Sequence, residues 1–274
     1  MRGSTLTAAV DALDPELDDE RIVDLTTNWL YANPLLYTLT YTLVFLRQAS
    51  VPGIAEILDR DGRGPTVRSP HVRNVATMSC FGIWFRHGYR SARGQQAIDR
   101  VNAVHARFPI NQDQYRYVLA TQIFEPERLL TLVGAQPLTA TENQARFVFW
   151  RNLGQRLGIG GIPATFDGFR AWMIDYEREN CRYTFAAGRI ATALRGEWVH
   201  NHLPAPLRPL GRSTLDALVD PDLGVSLGIS PPHVAVRWFV HSAVRGYLRL
   251  LTEYTPSARR YTTGFGPARA AVSP

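Results

Sequence analysis

Apolar residues recur every three or four positions through most of this 274-residue chain, and the strict alternation typical of strands is hard to find. This periodicity predicts helices at 18–30, 34–48, 51–58, 70–86, 91–108, 112–124, 139–157, 165–180, 183–194, 207–219 and 232–254. We therefore expect an all-α protein, a single compact multi-helix domain that encloses a cofactor pocket. The domain would span residues 1–254 with an acidic N-terminal segment, and residues 255–274, rich in Pro, Gly, Ser and Arg, would form a flexible tail.

Prolines, glycines and capping residues divide the helices. Pro126 predicts the start of a separate helix at 125–133, because proline fits the first turn of a helix better than its interior. Thr139 and Glu142 have the spacing of a capping box. The glycine-rich stretch 158–163 lacks the preceding strand and the following lysine of a nucleotide loop, so it predicts a helix stop and a turn.

All 30 basic residues of the chain are arginines. Without lysine the chain cannot form a Schiff base and cannot supply the lysine of a phosphate-binding P-loop. The net charge is +6, but the arginines are scattered rather than clustered on a stripe, so no nucleic-acid partner is expected. With only two cysteines and no apolar signal segment at the start, we expect a cytoplasmic protein.

Residues 30–46 are nearly free of charge, so a membrane span has to be considered before a cytoplasmic location is accepted. A membrane span needs about 20 apolar residues. This stretch is interrupted by Asn33 and Pro34 and runs into Arg47, so it predicts a central core helix and no stable membrane span. Contact with a membrane surface is the lesser alternative.

Few residues suggest a protein nucleophile, which favours a bound cofactor as the source of the chemistry. On the helix predicted at 91–108, His105 shares a mostly apolar face with Ile98, Val101, Asn102 and Phe108. A lone histidine on such a face is more often a hydrogen-bonded core residue than a metal ligand. A neutral imidazole in an apolar wall is nevertheless what a heme iron requires on its proximal side.

A second helix face carries one charge, one hydroxyl and two aromatic rings, on Arg73, Thr77, Phe81 and Trp84. A buried arginine needs an anionic partner. A heme propionate and an internal carboxylate such as Glu56 both satisfy this need, and the spacing does not choose between them.

At these residues the chain resembles the heme b oxygenases that include latex clearing protein (rubber oxygenase) and the MpaB-type oxygenases. The likeness covers about residues 52–254 and is sharpest at three motifs: Pro52-Gly-Ile-Ala55, Arg73-x-x-x-Thr77, and Val101-Asn-Ala-Val-His105 followed by Tyr115-Arg-Tyr-Val-Leu-Ala120. The resemblance implies heme b as cofactor, His105 as the proximal iron ligand, and Arg73 and Thr77 in the heme pocket. Glu56 falls near the catalytic carboxylate proposed for the family, and Phe81 and Trp84 would line the pocket.

Departures from the family pattern concern the distal ligand and the substrate. Where some rubber oxygenases have a lysine as distal ligand, this chain has Ala76, which implies an iron site open to dioxygen or peroxide. Asn102 and Pro109 stand where arginines flank the proximal histidine in rubber oxygenases, which argues against rubber as substrate. We expect oxidation or oxygenation of a small, largely apolar molecule.

Three further interpretations stay open. Arg245 shares a helix face with Trp238 and His241, and either reaches a heme propionate or belongs to an ordinary packed helix. Glu197 and His200 have the Glu-x-x-His spacing of di-iron carboxylate oxidases, but only one copy is present. The pocket would equally suit a non-enzymatic protein that binds heme or a hydrophobic ligand. The sequence leaves the oligomeric state undetermined.

Overall fold

The computed structural model describes residues 3–27 and 33–254, with the side chains of 7–27 and 33–251. These residues form fourteen α-helices and no strand, which confirms the all-α prediction. The helices are α1 Gly3–Asp11, α2 Asp19–Leu25, α3 Pro34–Ala49, α4 Pro52–Asp59, α5 Pro65–Arg68, α6 Pro70–His87, α7 Ala92–His105, α8 Gln112–Val133, α9 Ala140–Arg156, α10 Phe166–Asn180, α11 Phe185–His202, α12 Arg208–Ala217, α13 Pro221–Leu227 and α14 Val234–Tyr254. The predicted tail at 255–274 lies outside the described residues.

Two apolar clusters make up most of the core. One is built on α3, α11 and the helices that follow it, and the other on α7, α8, α9 and α10. Helix α6 runs between them, and its Phe81 packs against both clusters. The position of α6 matters for function because this helix carries Arg73 and Thr77.

Helix α3 is buried along most of its length, as predicted for a core helix. Asn33 caps it by accepting hydrogen bonds from the Leu35 and Leu36 amides at 2.8 and 3.3 Å, and Pro34 occupies the first turn. In the described part of the chain, no helix combines the length and apolarity that crossing a bilayer requires. Residues 30–32 of the stretch discussed above lie outside the described residues.

The predicted helix start at Pro126 is wrong, because α8 continues through this proline to Val133. Pro126 has no amide hydrogen to donate to the carbonyl of Gln122, four residues earlier. Arg146 of α9 supplies the missing donor, with its Nη2 3.0 Å from the Gln122 carbonyl oxygen. A side chain from a neighbouring helix therefore satisfies the group that the proline leaves unpaired.

Several other boundaries also differ from the sequence prediction. Helix α11 runs to His202 rather than ending at 194, while α1, α5 and α13 were not predicted. Helix α13 is short, and Asp220 caps it by accepting from the Leu223 amide at 2.9 Å. The capping box of Thr139 and Glu142 and the glycine-rich turn at 158–163 are both confirmed.

A buried ion cluster joins four helices. Arg47 of α3, which is 6% exposed, donates to Glu125 of α8 and to Asp220 at the start of α13. Glu177 of α10 completes the cluster and receives two 2.8 Å hydrogen bonds from Arg128. Burial alone would lower the pKa of Arg47, but the surrounding carboxylates hold it well above its usual value. Arg47 is therefore charged, and it is the shared partner that links α3 to α8 and α13.

We expect Arg47→Met to lower the free energy of unfolding by about 3 to 5 kcal/mol, since it leaves Glu125 buried without its cation. Urea denaturation followed by circular dichroism measures this loss. Arg21→Met is the matched control, because Arg21 forms an exposed pair with Asp24 and should cost less than about 1 kcal/mol. Similar losses for the two variants would contradict a structural role for the buried cluster.

Candidate functional site

Arg73 is a half-buried arginine whose contacts are an aromatic ring and a hydroxyl. Its Nη1 donates to the Tyr41 hydroxyl at 2.8 Å, and its guanidinium carbon lies 3.9 Å from the centre of the Phe45 ring. No carboxylate among the described residues pairs with it. The predicted internal partner, Glu56, is exposed on α4 and forms no hydrogen bond or ion pair with another described side chain.

Tyr41 connects Arg73 to a polar network between α6 and α11. Its hydroxyl donates to the Asn74 side-chain oxygen at 3.1 Å, and the Asn74 amide donates to Glu197 at 3.3 Å. Burial raises the pKa of Tyr41, although the nearby charge of Arg73 opposes the rise. The hydroxyl therefore stays protonated and holds Arg73 in place. Thr77, one turn after Arg73, donates back to the Arg73 carbonyl at 3.1 Å.

His105 is the last residue of α7 and is partly buried. Its ring centre lies 5.4 Å from that of Tyr115, near the start of α8. Burial, followed by the positive charge of Arg73, lowers the pKa of the imidazole below its usual value. The charge of Arg73 thus acts on the His105 imidazole. That the two residues line one cofactor pocket stays a prediction. The imidazole forms no hydrogen bond with any described residue, so both of its nitrogens remain available.

Two contacts bring helix α4 close to the segment that follows His105. The guanidinium of Arg60, just after α4, lies 4.8 Å from the ring centre of Phe108, three residues beyond His105. On α4, Gly53 lies against the side-chain amide of Gln114 on α8. Half-buried residues of α6, α7 and α8, among them Cys80, Val101 and Val118, pack against the core cluster of α7 to α10. The convergence of the predicted motifs on one cofactor site stays a prediction.

An apolar cavity of about 110 Å³ lies among α3, α6, α8 and α9. Its walls include Tyr37, Tyr41, Phe81, Phe85, Leu129 and Trp150. Of the predicted site residues, only Phe81 lines it, whereas His105, Arg73 and Thr77 do not. Tyr41 links the cavity to Arg73, because it lines the cavity and accepts the hydrogen bond from Arg73.

Two further predicted site residues, Trp84 and Arg245, make contacts that do not involve His105. Trp84 is 2% exposed, and its indole N–H donates to the Gly94 carbonyl at 3.2 Å, which fixes α6 against α7. Arg245 is exposed on α14 and lies beside Gly134, just after α8. Tyr115, whose ring lies beside His105, is 19 residues before Gly134. At about 1.5 Å of helix per residue, Gly134 is roughly 28 Å from Tyr115. The structure does not bring Arg245 to His105.

The predicted Glu-x-x-His pair lies inside α11. Glu197 accepts hydrogen bonds from His71, Asn74 and Asn201, while His200 is exposed. Within the residues that the structure describes, no three His, Cys, Asp or Glu side chains converge as a metal-binding group. Glu197 therefore serves the network around Asn74 and Tyr41. His241 donates through Nε2 to the Ala217 carbonyl at 2.7 Å, which makes it a packing residue between α14 and α12.

Sequence reasoning missed Tyr41 and Gln122. Tyr37, Tyr41 and Phe45 recur every four residues on α3, so an aromatic stripe was visible, but nothing in the spacing indicated that it faces Arg73. Gln122 lines the cavity on α8, one turn before the proline that interrupts the hydrogen bonding of that helix.

The chain matches the sequence model of a protein family described as "ER-bound oxygenase mpaB/B'/Rubber oxygenase, catalytic domain" over residues 29–263. One curated relative is the ER-bound oxygenase mpaB of Penicillium roqueforti (strain FM164), which is 23% identical over 143 residues. That match covers 50% of this chain and 48% of the relative, so the chain spans about half the length of the curated relative it matches.

We expect Tyr41→Phe to destabilise the protein by about 1 to 3 kcal/mol, because it leaves both the Arg73 donor and the Asn74 acceptor without their partner. Tyr37→Phe is the control on the same helix, since it removes one 3.3 Å bond to the Met78 carbonyl and should cost about 0.5 kcal/mol. Urea denaturation compares the two. Equal losses would show that the Tyr41 hydroxyl does not hold Arg73.

Proposed function

Because the chain belongs to the family of ER-bound oxygenase mpaB/B' and rubber oxygenase catalytic domains, we propose that it is a heme b-dependent oxidase or oxygenase. Its substrate would be a small, largely apolar organic molecule, and its co-substrate dioxygen or peroxide. The observation that carries the proposal is a partly buried imidazole without a hydrogen-bond partner among the described residues, together with a half-buried arginine that has no carboxylate partner among them.

His105 has the properties required of a proximal heme ligand. An imidazole coordinates iron through an unprotonated nitrogen, so a lowered pKa favours the form that binds. A heme needs a single protein ligand, unlike a di-iron site, which needs a cluster of carboxylates and histidines. Tyr115 lies beside the ring, and Val101 is one turn before His105 on α7, so both would supply the apolar surface that a porphyrin face requires.

Arg73 has the properties required of a propionate partner. Leaving a buried charge without a counter-ion is costly, and no described carboxylate neutralises this one. A heme propionate would supply that anion beside the same imidazole. Arg245, which lies far from His105, is not needed for this role.

Bound heme would supply the redox chemistry that activates dioxygen or peroxide, and the protein would supply position and surroundings. Arg73 would orient the cofactor, with Tyr41 and Thr77 fixing the arginine. Phe81 and its aromatic neighbours would keep water out. Ala76 offers no side-chain nitrogen where some relatives have a lysine. Glu56, an exposed carboxylate on α4, is proposed to exchange a proton between the site and solvent.

We also propose a cytoplasmic location. Cys80 and Cys181 are both free thiols, as expected in a reducing compartment. Burial raises the pKa of both thiols, which keeps them protonated and unreactive. The relative from Penicillium roqueforti is named as ER-bound, and fractionation of cells that express this chain would test the point.

A hemin titration followed by the Soret absorbance tests the proposed function. We expect His105→Ala to weaken hemin binding by at least about 10- to 100-fold, the loss seen when even an outer partner of a metal ligand is removed. His200→Ala is the matched control and should bind hemin like the wild type, because His200 is exposed on α11.

Failure of the wild-type protein to bind hemin would refute the proposal, as would unchanged binding by His105→Ala. Consumption of dioxygen or peroxide by the hemin-loaded protein, coupled to loss of an apolar substrate, separates an enzyme from a carrier that binds heme without turnover.

A further inference from the structure

The cavity among α3, α6, α8 and α9 is lined by neither His105, Arg73 nor Thr77. Its volume of about 110 Å³ is comparable with the roughly 150 Å³ of an engineered protein cavity that holds benzene. If the protein binds heme at His105, this cavity is therefore available to a second molecule.

The polar groups in the cavity walls are nearly all engaged. The Tyr41 hydroxyl donates to Asn74 and accepts from Arg73, the Tyr37 hydroxyl donates to the Met78 carbonyl, and Thr40 donates to the Leu36 carbonyl. The guanidinium of Arg146 donates to the Gln122 main-chain carbonyl. These groups give the cavity a fixed shape and leave little capacity for new hydrogen bonds.

Among the described residues that line the cavity, Thr27 and Gln122 have polar side chains without a hydrogen bond to a described residue. Gln122 carries the larger polar group. It is 9% exposed and lines the cavity, yet its side-chain carboxamide has no hydrogen-bond partner among the described residues. The carboxamide is not among the fully buried unpaired groups of the described residues, so it is accessible where Gln122 lines the cavity, and a ligand there can become its hydrogen-bond partner. Carboxamide nitrogen is a donor, and the nearby positive charge of Arg146 favours an oxygen acceptor over a second donor.

We infer that this cavity is a binding site for the organic substrate, and that Gln122 selects a molecule with an apolar body about the size of one aromatic ring and one hydrogen-bond-accepting oxygen. The inference rests on the proposed function only in calling the ligand a substrate. Tyr41 joins the two sites, since it forms the wall of the cavity and holds Arg73, whose charge acts on His105.

Isothermal titration calorimetry with three matched probes tests the site, using the full chain with and without hemin. The probes are acetophenone, ethylbenzene and phenylacetate, which present a neutral oxygen, no oxygen and an anionic oxygen on the same ring. We expect acetophenone to bind more tightly than ethylbenzene, by the roughly 2- to 12-fold that one hydrogen bond provides. If phenylacetate binds most tightly, the selected acceptor is a carboxylate that also uses the charge of Arg146.

Substitutions locate the binding and identify the residue that selects. Gln122→Leu should remove the preference for acetophenone while leaving ethylbenzene affinity unchanged, and Gln155→Leu, an exposed site on α9, should change neither. Leu129→Trp should fill the cavity and abolish binding of every probe. Circular dichroism and the urea midpoint check that each variant is folded.

Absence of saturable binding by all three probes to the folded wild type would overturn the inference, as would binding that survives Leu129→Trp. Competition between hemin and acetophenone for one site would equally overturn it. Probe binding by a protein that takes up no hemin would support the cavity while refuting the heme proposal, so the two failures are distinguishable.

Discussion

A positive charge held half-buried without a carboxylate is the constraint on which the site depends. Arg73 is kept in place by the Tyr41 hydroxyl and the face of Phe45, neither of which neutralises it. The charge acts on His105, whose imidazole is kept neutral by burial and by this arginine. An anionic cofactor with a metal would complement both residues together, which a purely structural arginine and histidine would not require.

The surrounding helices keep this arrangement in register. Phe81 joins the two core clusters, so α6 cannot shift without disturbing both. Arg47 ties α3, which carries Tyr41, to α8 and α13 through buried carboxylates. On α8, Arg146 replaces the donor that Pro126 lacks and lets the helix continue past the cavity. Charged groups thus stabilise positions that apolar packing alone would leave less well defined.

The sequence predicted those features that depend on local spacing. The all-α class, the capping box at Thr139 and the shared face of Arg73 and Thr77 follow from periodicity and helix chemistry. Pro126 was misjudged because its compensating donor, Arg146, comes from another helix. Arg245 shares a helix face with His241, which packs on α12. Spacing within one helix gives no information about the distance from Arg245 to His105 on another helix. Gln122 could not be identified from spacing, because the cavity that it lines forms only when four helices pack together.

The claim that His105 binds the iron of a heme is tested most directly by resonance Raman spectroscopy of the hemin-loaded protein in its ferrous state. We expect an iron–histidine stretching band in the wild type and its loss in His105→Ala, with partial recovery when free imidazole is added. A wild-type spectrum without this band, or an unchanged band in the variant, would contradict the assignment of His105 as the iron ligand.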